Sequence, residues 1–481
     1  MPSHSRLLIP RQPALDQRWF DRLLPLVGAA GEIYEPMLPP PAQLRTLRQQ
    51  FEAADYDADV NLRVHLQDME RYRIQRSDLE SLKYEIAGDE PDELVKEVYI
   101  RRIDELILNL DLLLAAAAHD NDTYHAINDT LFGMPDRRLF AAAADWLHFT
   151  MTGLSGHDNA AVQKAARHAL TLLPQVPPGG PGREALLPDE TLFQRVRAVH
   201  FQEDGYFDQL LAGVELPAAG EIEREQGDIV VRQILRNLGA DFTIGDAVSR
   251  YWSMSYETLT ILRPEIYSYD VVMFRGVIAH ELGSHLLERL NGMRQPLRLL
   301  AVGLDGYEMA NEGRAYLREQ IQFASINEAS RQVTWENIIL RHFGVSLAMG
   351  LDGSKWTFSQ LYRLLHALFH AWELSRHPDD KKAAEHYAHD LAWALTIRLL
   401  NGTDGRGGAY RKDTCYLMAN TGYWRLAAED VEHIFRGDGG KFNPFDPRHQ
   451  QWLAELDRRY GVSKSQLGLL RNDALDPAQP Q

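Results

Sequence analysis

Two histidines five residues apart on one helix-like stretch constrain this chain more than any other feature. They are His280 and His285 in RGVIAHELGSHLLERLNG, residues 275–292, with Glu281 beside the first. A regular α-helix turns the second ring roughly 140° away from the first. Both can face one ion only if the helix widens locally, and a single π-type turn does this, often at functional sites. Gly283 and Ser284 lie between them, where such a distortion meets little steric resistance.

Glu312 follows in a second predicted helix, YEMANEGRAYL. Imidazole and carboxylate ligands suit Zn²⁺, and a catalytic zinc keeps three protein ligands plus an open position for water. Glu281 is the spare carboxylate, placed to take a proton from that water. Read singly, the parts are less specific: H-E-x-x-x-H also describes one buried and one exposed helix histidine, and Glu312 a solvated carboxylate. Asp270 or Ser268 is the expected N-cap of the motif helix. Asn291-Gly292 is its expected glycine-type end. Gly313, beside Glu312, costs roughly 0.8–1.0 kcal/mol against alanine, which suggests close approach of another backbone, as where two helices cross at a shared ion.

The longer run HELGSHLLERLNGMRQPLRLLAVGLDGYEMANEGRAYL resembles the tyrosine carboxypeptidase metallopeptidases, which include microtubule-associated enzymes and bacterial relatives named for a Q-E-G-L-A motif. The match runs through HELGSH, Asn291-Gly292, Gln295-Pro296-Leu297, Gly303-Leu304, Gly306-Tyr307 and Asn311-Glu312-Gly313. The resemblance implies one Zn²⁺ on His280, His285 and Glu312, with Glu281 as catalytic base. It also implies a gluzincin-like fold and removal of a C-terminal tyrosine or other aromatic residue from a protein or peptide. The chain departs from the pattern at Asn311 and Arg314, which stand where the family has glutamine and leucine; both are expected to alter the pocket wall.

The expected fold is mostly α with a small β-sheet (α+β), preceded by a helical N-terminal region. Residues 1–54 read as an N-terminal extension and 55–173 as helical. The breaker-rich stretch 174–188 reads as a linker, 189–435 as the catalytic domain and 436–481 as a tail of partly disordered composition. Ile229–Val231 and the stretch 241–262 are rich in β-branched and aromatic residues. YETLTILRP in particular reads as a strand, which could pair with an extended substrate backbone or be an edge strand with no such role.

The 481 residues carry 51 basic and 68 acidic side chains, a formal charge of −17. That balance argues against nucleic acid as a partner, since phosphate binding needs a basic surface. No run approaches the ~20 apolar residues of a membrane helix, and no secretion signal is legible at the start. Cys415 is the only cysteine, so no intramolecular disulfide forms. The expected setting is cytoplasmic, with a peptide or protein C-terminus as partner and neither nucleic acid nor membrane.

A carboxypeptidase must bind a terminal carboxylate, for which arginine is best suited. Arg263, Arg398, Arg411 and Lys412 are the candidates, and Tyr256, Tyr410 or Tyr416 could donate to a developing oxyanion. Among rival constellations, His366, His370 and Glu373 share one helical face, but leucines and Phe369 around them read as core. GLDGSK lacks phosphate-loop spacing, there is no G-x-S-x-G, and no base pairs with Cys415 in the sequence. Two other readings stay open: a metal-bound peptide-binding or regulatory protein without turnover, and a zinc hydrolase of another amide.

Overall fold

The computed structural model describes residues 7–31, 33–63, 69–175, 180, 182–203, 205–247, 252–255, 258–265, 267–331 and 333–460. The protein is mostly helical with two small sheets, an α+β arrangement. None of its described helices is long and apolar enough to cross a membrane.

Helices form where the apolar period is close to 3.6. The region expected to be helical includes Met69–Asp89 and Glu93–Ala118, broken at Pro91, with Asp92 capping the second. Gly133-Met134-Pro135 separates Asn121–Phe132 from Arg137–Ser155, which is capped by Asp136. Ile229–Val231 does not form a strand. It lies inside the helix Arg224–Asn237, where Val230, Val231, Ile234 and Leu235 bury one helical face and tertiary packing overrides β propensity.

The strands are β1 (Glu221–Glu223), β2 (Thr243–Ala247), β3 (Ser253–Ser255), β4 (Thr260–Pro264) and β5 (Ser268–Asp270). β1 pairs antiparallel with β5, and Ile222 faces Tyr269. In the other sheet β4 is central, parallel to β2 and antiparallel to β3. Of the predicted strand YETLTILRP, residues Thr260–Pro264 are β4, which begins just after Leu259 turns through φ 50°. With both flanks occupied, β4 offers no ladder to a substrate; β2 and β3 are the edges.

One core joins the helices Arg137–Ser155 and Ala160–Leu172 to Val333–Ala348, Phe358–Arg376 and Thr414–Glu429, and it reaches the motif helix through Ile278, Leu282 and Leu286. A second core packs helices Gln17–Gly31, Met69–Asp89 and Glu93–Ala118 against residues 297–304 and the helix Pro447–Tyr460. Within this second core, buried Asp16 ties the helix Glu93–Ala118 to residues 298–299. It accepts from the backbone N–H of Arg298 (2.8 Å) and Leu299 (2.9 Å) and from Tyr99 Oη (2.7 Å). The tail expected from composition to be loose is structured between Arg436 and Tyr460: residues 437–441 pack behind the motif helix, where Asn291 donates to Asp438 O and Gln295 to Gly439 O.

Candidate metal centre

The motif helix starts at Val271, with Asp270 accepting from the Val272 N–H at 2.8 Å. It then runs as a nine-residue π-helix, Ile278–Leu286, before returning to α geometry over Leu287–Gly292. The widened turn is the one that the five-residue spacing demands. Ser284 Oγ donates to Ala279 O, five residues back. Gly283 O accepts from Arg318 (2.8 Å) and from the Tyr206 hydroxyl, so the carbonyl displaced by the wide turn is satisfied from outside. A Cβ at Gly283 would strike Tyr206, which is the steric reason for glycine there.

The helix Tyr307–Gln320 presents Glu312 to this turn. Glu312 Oε2 lies 3.6 Å from His280 Nε2 and 3.9 Å from His285 Nε2, and three donor atoms of these residues fall within 4.8 Å of one another. Each imidazole is held from behind. His280 Nδ1 is 3.0 Å from Glu319 Oε2, and His285 Nδ1 is 3.0 Å from the Asn311 amide oxygen. With its amide nitrogen turned to Glu288 at 2.9 Å, Asn311 ties His285 to a buried carboxylate. With an ion bound, such partners would fix the tautomer that leaves each Nε2 with its lone pair toward the ion. The residues therefore fit a Zn²⁺ ion: two imidazoles and a carboxylate with oriented supports.

The electrostatics are those of a tight buried cluster. Burial holds His285 down at about 3. His280 meets the same burial, but Glu312 and Glu319 outweigh it and raise the imidazole well above its ordinary value. Burial would lift Glu312, yet the two histidines keep it well below the usual carboxylate range. Glu281 is pushed up to about 7 by burial, with Glu312 and Glu319 adding to the effect and His280 opposing it.

Two expectations about glycines change. Gly313 does mark a close approach, but the neighbour is the helix Thr414–Glu429, not the motif helix: a Cβ would fall 2.4 Å from Ala419 Cβ and 2.5 Å from its carbonyl carbon. Gly292 ends the motif helix without a left-handed cap. The Leu300–Ala301 backbone passes within 2.5 Å of where its Cβ would be. Arg314 is also no pocket-wall residue. It is 1% exposed and is paired with Glu288 and, at 2.9 Å, with Asp438.

Tyr416 meets the centre through a chain of ring contacts. It packs edge-on against Tyr316 (5.7 Å), which packs edge-on against His280 (5.1 Å), and Arg398 donates to its hydroxyl at 3.2 Å. Lys412 follows the turn 402–408, whose Gly402, Gly405, Gly407 and Gly408 all take positive φ. Burial opposes the charge on Lys412, but Glu308 at 2.6 Å outweighs it and holds the ammonium well above its usual range. Arg263 grips Asp228 through two bonds (3.0 and 3.2 Å) and also meets Asp246, while Arg411 is buried on Asp129. Arg398 is committed to Asp413 at 2.8 Å. Those three guanidinium groups are thus engaged internally. Tyr410 is buried among Ile33, Leu113 and Tyr124. Tyr256 lies outside the described residues.

Glu319 and Tyr316 escape a reading of the motif alone. Glu319 is seven residues beyond Glu312, two turns along the same face, and that spacing was the available signal. The rival helix is also rearranged: Glu373 pairs with Arg376, while His366 and His370 turn to Glu385 and His389 of the next helix.

No curated protein and no solved structure matches the chain. Residues 255–373, which hold both histidines, Glu281, Glu312 and the stretch joining them, match the family model described as Microtubule-associated tyrosine carboxypeptidase. The family resemblance of the motif residues is thereby shown.

Proposed function

We propose that this chain is a zinc-dependent carboxypeptidase of gluzincin-like layout, acting on the C-terminal residue of a peptide or protein and preferring an aromatic one. The observation that carries the reading is the convergence of His280, His285 and Glu312 across a π-turn, with Glu281 left over as a carboxylate that binds none of them. His280, His285 and Glu312 would hold the ion. When bound, Zn²⁺ supplies Lewis acidity and lowers the pKa of water from about 15.7 to about 7.

The chain's own residues do the rest. Glu319 and Asn311 keep the two imidazoles oriented, so little reorganisation is needed during reaction. A carboxylate oxygen of Glu281 takes the proton of the attacking water and returns it to the leaving amine, the general acid–base role. Tyr416, whose ring meets the centre through Tyr316, is the first candidate to receive the substrate's carbonyl or terminal carboxylate, and Lys412, which is paired with Glu308 at 2.6 Å, is the second. The preference for tyrosine rests on the family match. The buried, unpaired Cys415 is compatible with a reducing, cytoplasmic setting.

The test is a product survey. Peptides ending in tyrosine, phenylalanine, alanine or an amidated tyrosine are incubated with the zinc-loaded protein and read by mass spectrometry. Loss of a single C-terminal aromatic residue, absent with the amidated peptide, is the expected result. Internal cleavage, or no cleavage with zinc bound in full, would replace this reading with an endopeptidase or a binding protein.

A further inference from the structure

A second cluster of metal-ligating side chains lies on two helices that carry none of the residues of the first. His366 and His370 stand on Phe358–Arg376, and Glu385 and His389 on Lys381–Leu399. All three imidazoles turn their Nε2 atoms to the Glu385 carboxylate: His389 at 3.2 Å and His366 at 3.5 Å from Oε1, and His370 at 2.9 Å from Oε2. Ligand atoms about 2.05 Å from a tetrahedral ion are about 3.3 Å from one another. These separations bracket that edge more closely than those between the histidines and Glu312 do.

Two further observations point to an absent ligand. His366 Nε2 is shielded from solvent and has no hydrogen-bond partner, although buried polar atoms are as a rule satisfied. His389 Nδ1 is 2.5 Å from the Tyr362 hydroxyl, so with Nδ1–H donating to it, Nε2 keeps its lone pair toward Glu385. Tyr362 thus stands to His389 as Glu319 stands to His280.

We propose that His366, Glu385 and His389, with His370 beside them, form a second divalent-metal site of the zinc type that ties these two helices together. Three imidazoles and one carboxylate are a borderline donor set, suited to Zn²⁺ and not to Ca²⁺ or Mg²⁺. The His366 and His389 rings lie 4.0 Å apart and nearly parallel, so uptake must swing them out of this stack toward Glu385. The carboxylate next in the chain, Asp390, is committed to Arg48 at 2.7 Å and so is not left over as Glu281 is, which fits a structural ion.

The experiment uses the full chain, stripped with a chelator and dialysed against Zn²⁺ alone beside a weak competing chelator. Two zinc ions per chain are expected by mass spectrometry of the metal. His389→Asn or Glu385→Gln should retain one, and His285→Ala the other. In the His285→Ala background, zinc should still raise the thermal midpoint, and adding His389→Asn should abolish that rise. Should a variant fail to fold, the unmutated chain decides: zinc should protect His370 and His389, whose Nε2 atoms face Glu385, from an imidazole-acylating reagent, read by peptide mass mapping. A single zinc abolished by His285→Ala, or unprotected His370 and His389 at saturating zinc, would overturn the site.

Discussion

His280 Nδ1 sits 3.0 Å from Glu319 Oε2, two helical turns beyond the glutamate that faces the same ring's other nitrogen. One helix therefore supplies both a ligand and the support of another ligand. Gly276, one turn before His280, makes this possible, since a Cβ there would lie 3.0 Å from Glu319 Cγ.

Glu319→Gln should keep the fold and weaken zinc affinity or turnover by about 10- to 100-fold, the usual effect of losing such a partner. Zinc competition with a chromogenic chelator measures it. An unchanged affinity together with unchanged turnover would show that His280 needs no orienting carboxylate.

Glu281→Gln should leave zinc content intact and lower turnover by about 10²–10⁴, the share attributed to general-base catalysis. Metal analysis and peptide turnover on one sample test both halves. Near wild-type turnover would remove Glu281 from the mechanism.

Gly313→Ala should destabilise the protein by about 1–3 kcal/mol, as overpacking of a close contact does. Ala419→Gly should not rescue it, because the Ala419 carbonyl carbon and Asn420 nitrogen remain within 2.7 Å of the added methyl. Urea unfolding of the single and double variants is the measurement.

Arg314→Leu, which restores the family residue, should cost about 3–5 kcal/mol because it leaves Glu288 buried without its partner. Adding Glu288→Gln should recover part of the loss. Burial already lifts the Glu288 carboxyl to about 7 against the pull of Arg314. Equal stability of Arg314→Leu and the parent would mean that the ion pair contributes nothing.

His200 is fully buried, and burial, aided by Arg318, Arg275 and Arg197, lowers its pKa well below the usual value. In the unfolded chain it titrates near ~6.5. The unfolded state then binds more protons as the pH falls below that value, so stability present above it is lost toward acid, by up to about 1.4 kcal/mol per pH unit. His200→Gln should flatten the slope of stability between about pH 6.5 and 5. An identical slope in both proteins would assign the loss to other groups.

Of the residues that would hold an ion, the two histidines were legible because they are local: His280 and His285 lie with Glu281 on one helix, and for both rings to face one ion the five-residue spacing required the wide turn that is found. The capping of that helix by Asp270 and the helix break near Met134–Pro135 were legible for the same reason: they are interactions within a few residues. Glu312 lies on another helix, and its part came from the resemblance of the longer run. What the local pattern could not decide were contacts between distant segments. The neighbour at Gly313, the buried pairing of Arg314 with Glu288, the central position of β4 and the turn of His366 toward Glu385 all depend on which helix or strand arrives alongside. Sequence periodicity tells a residue which face of its own element it occupies. It carries no term for the partner across that face, and there only packing in three dimensions assigned arginines to aspartates, glycines to close contacts and three histidines to one glutamate.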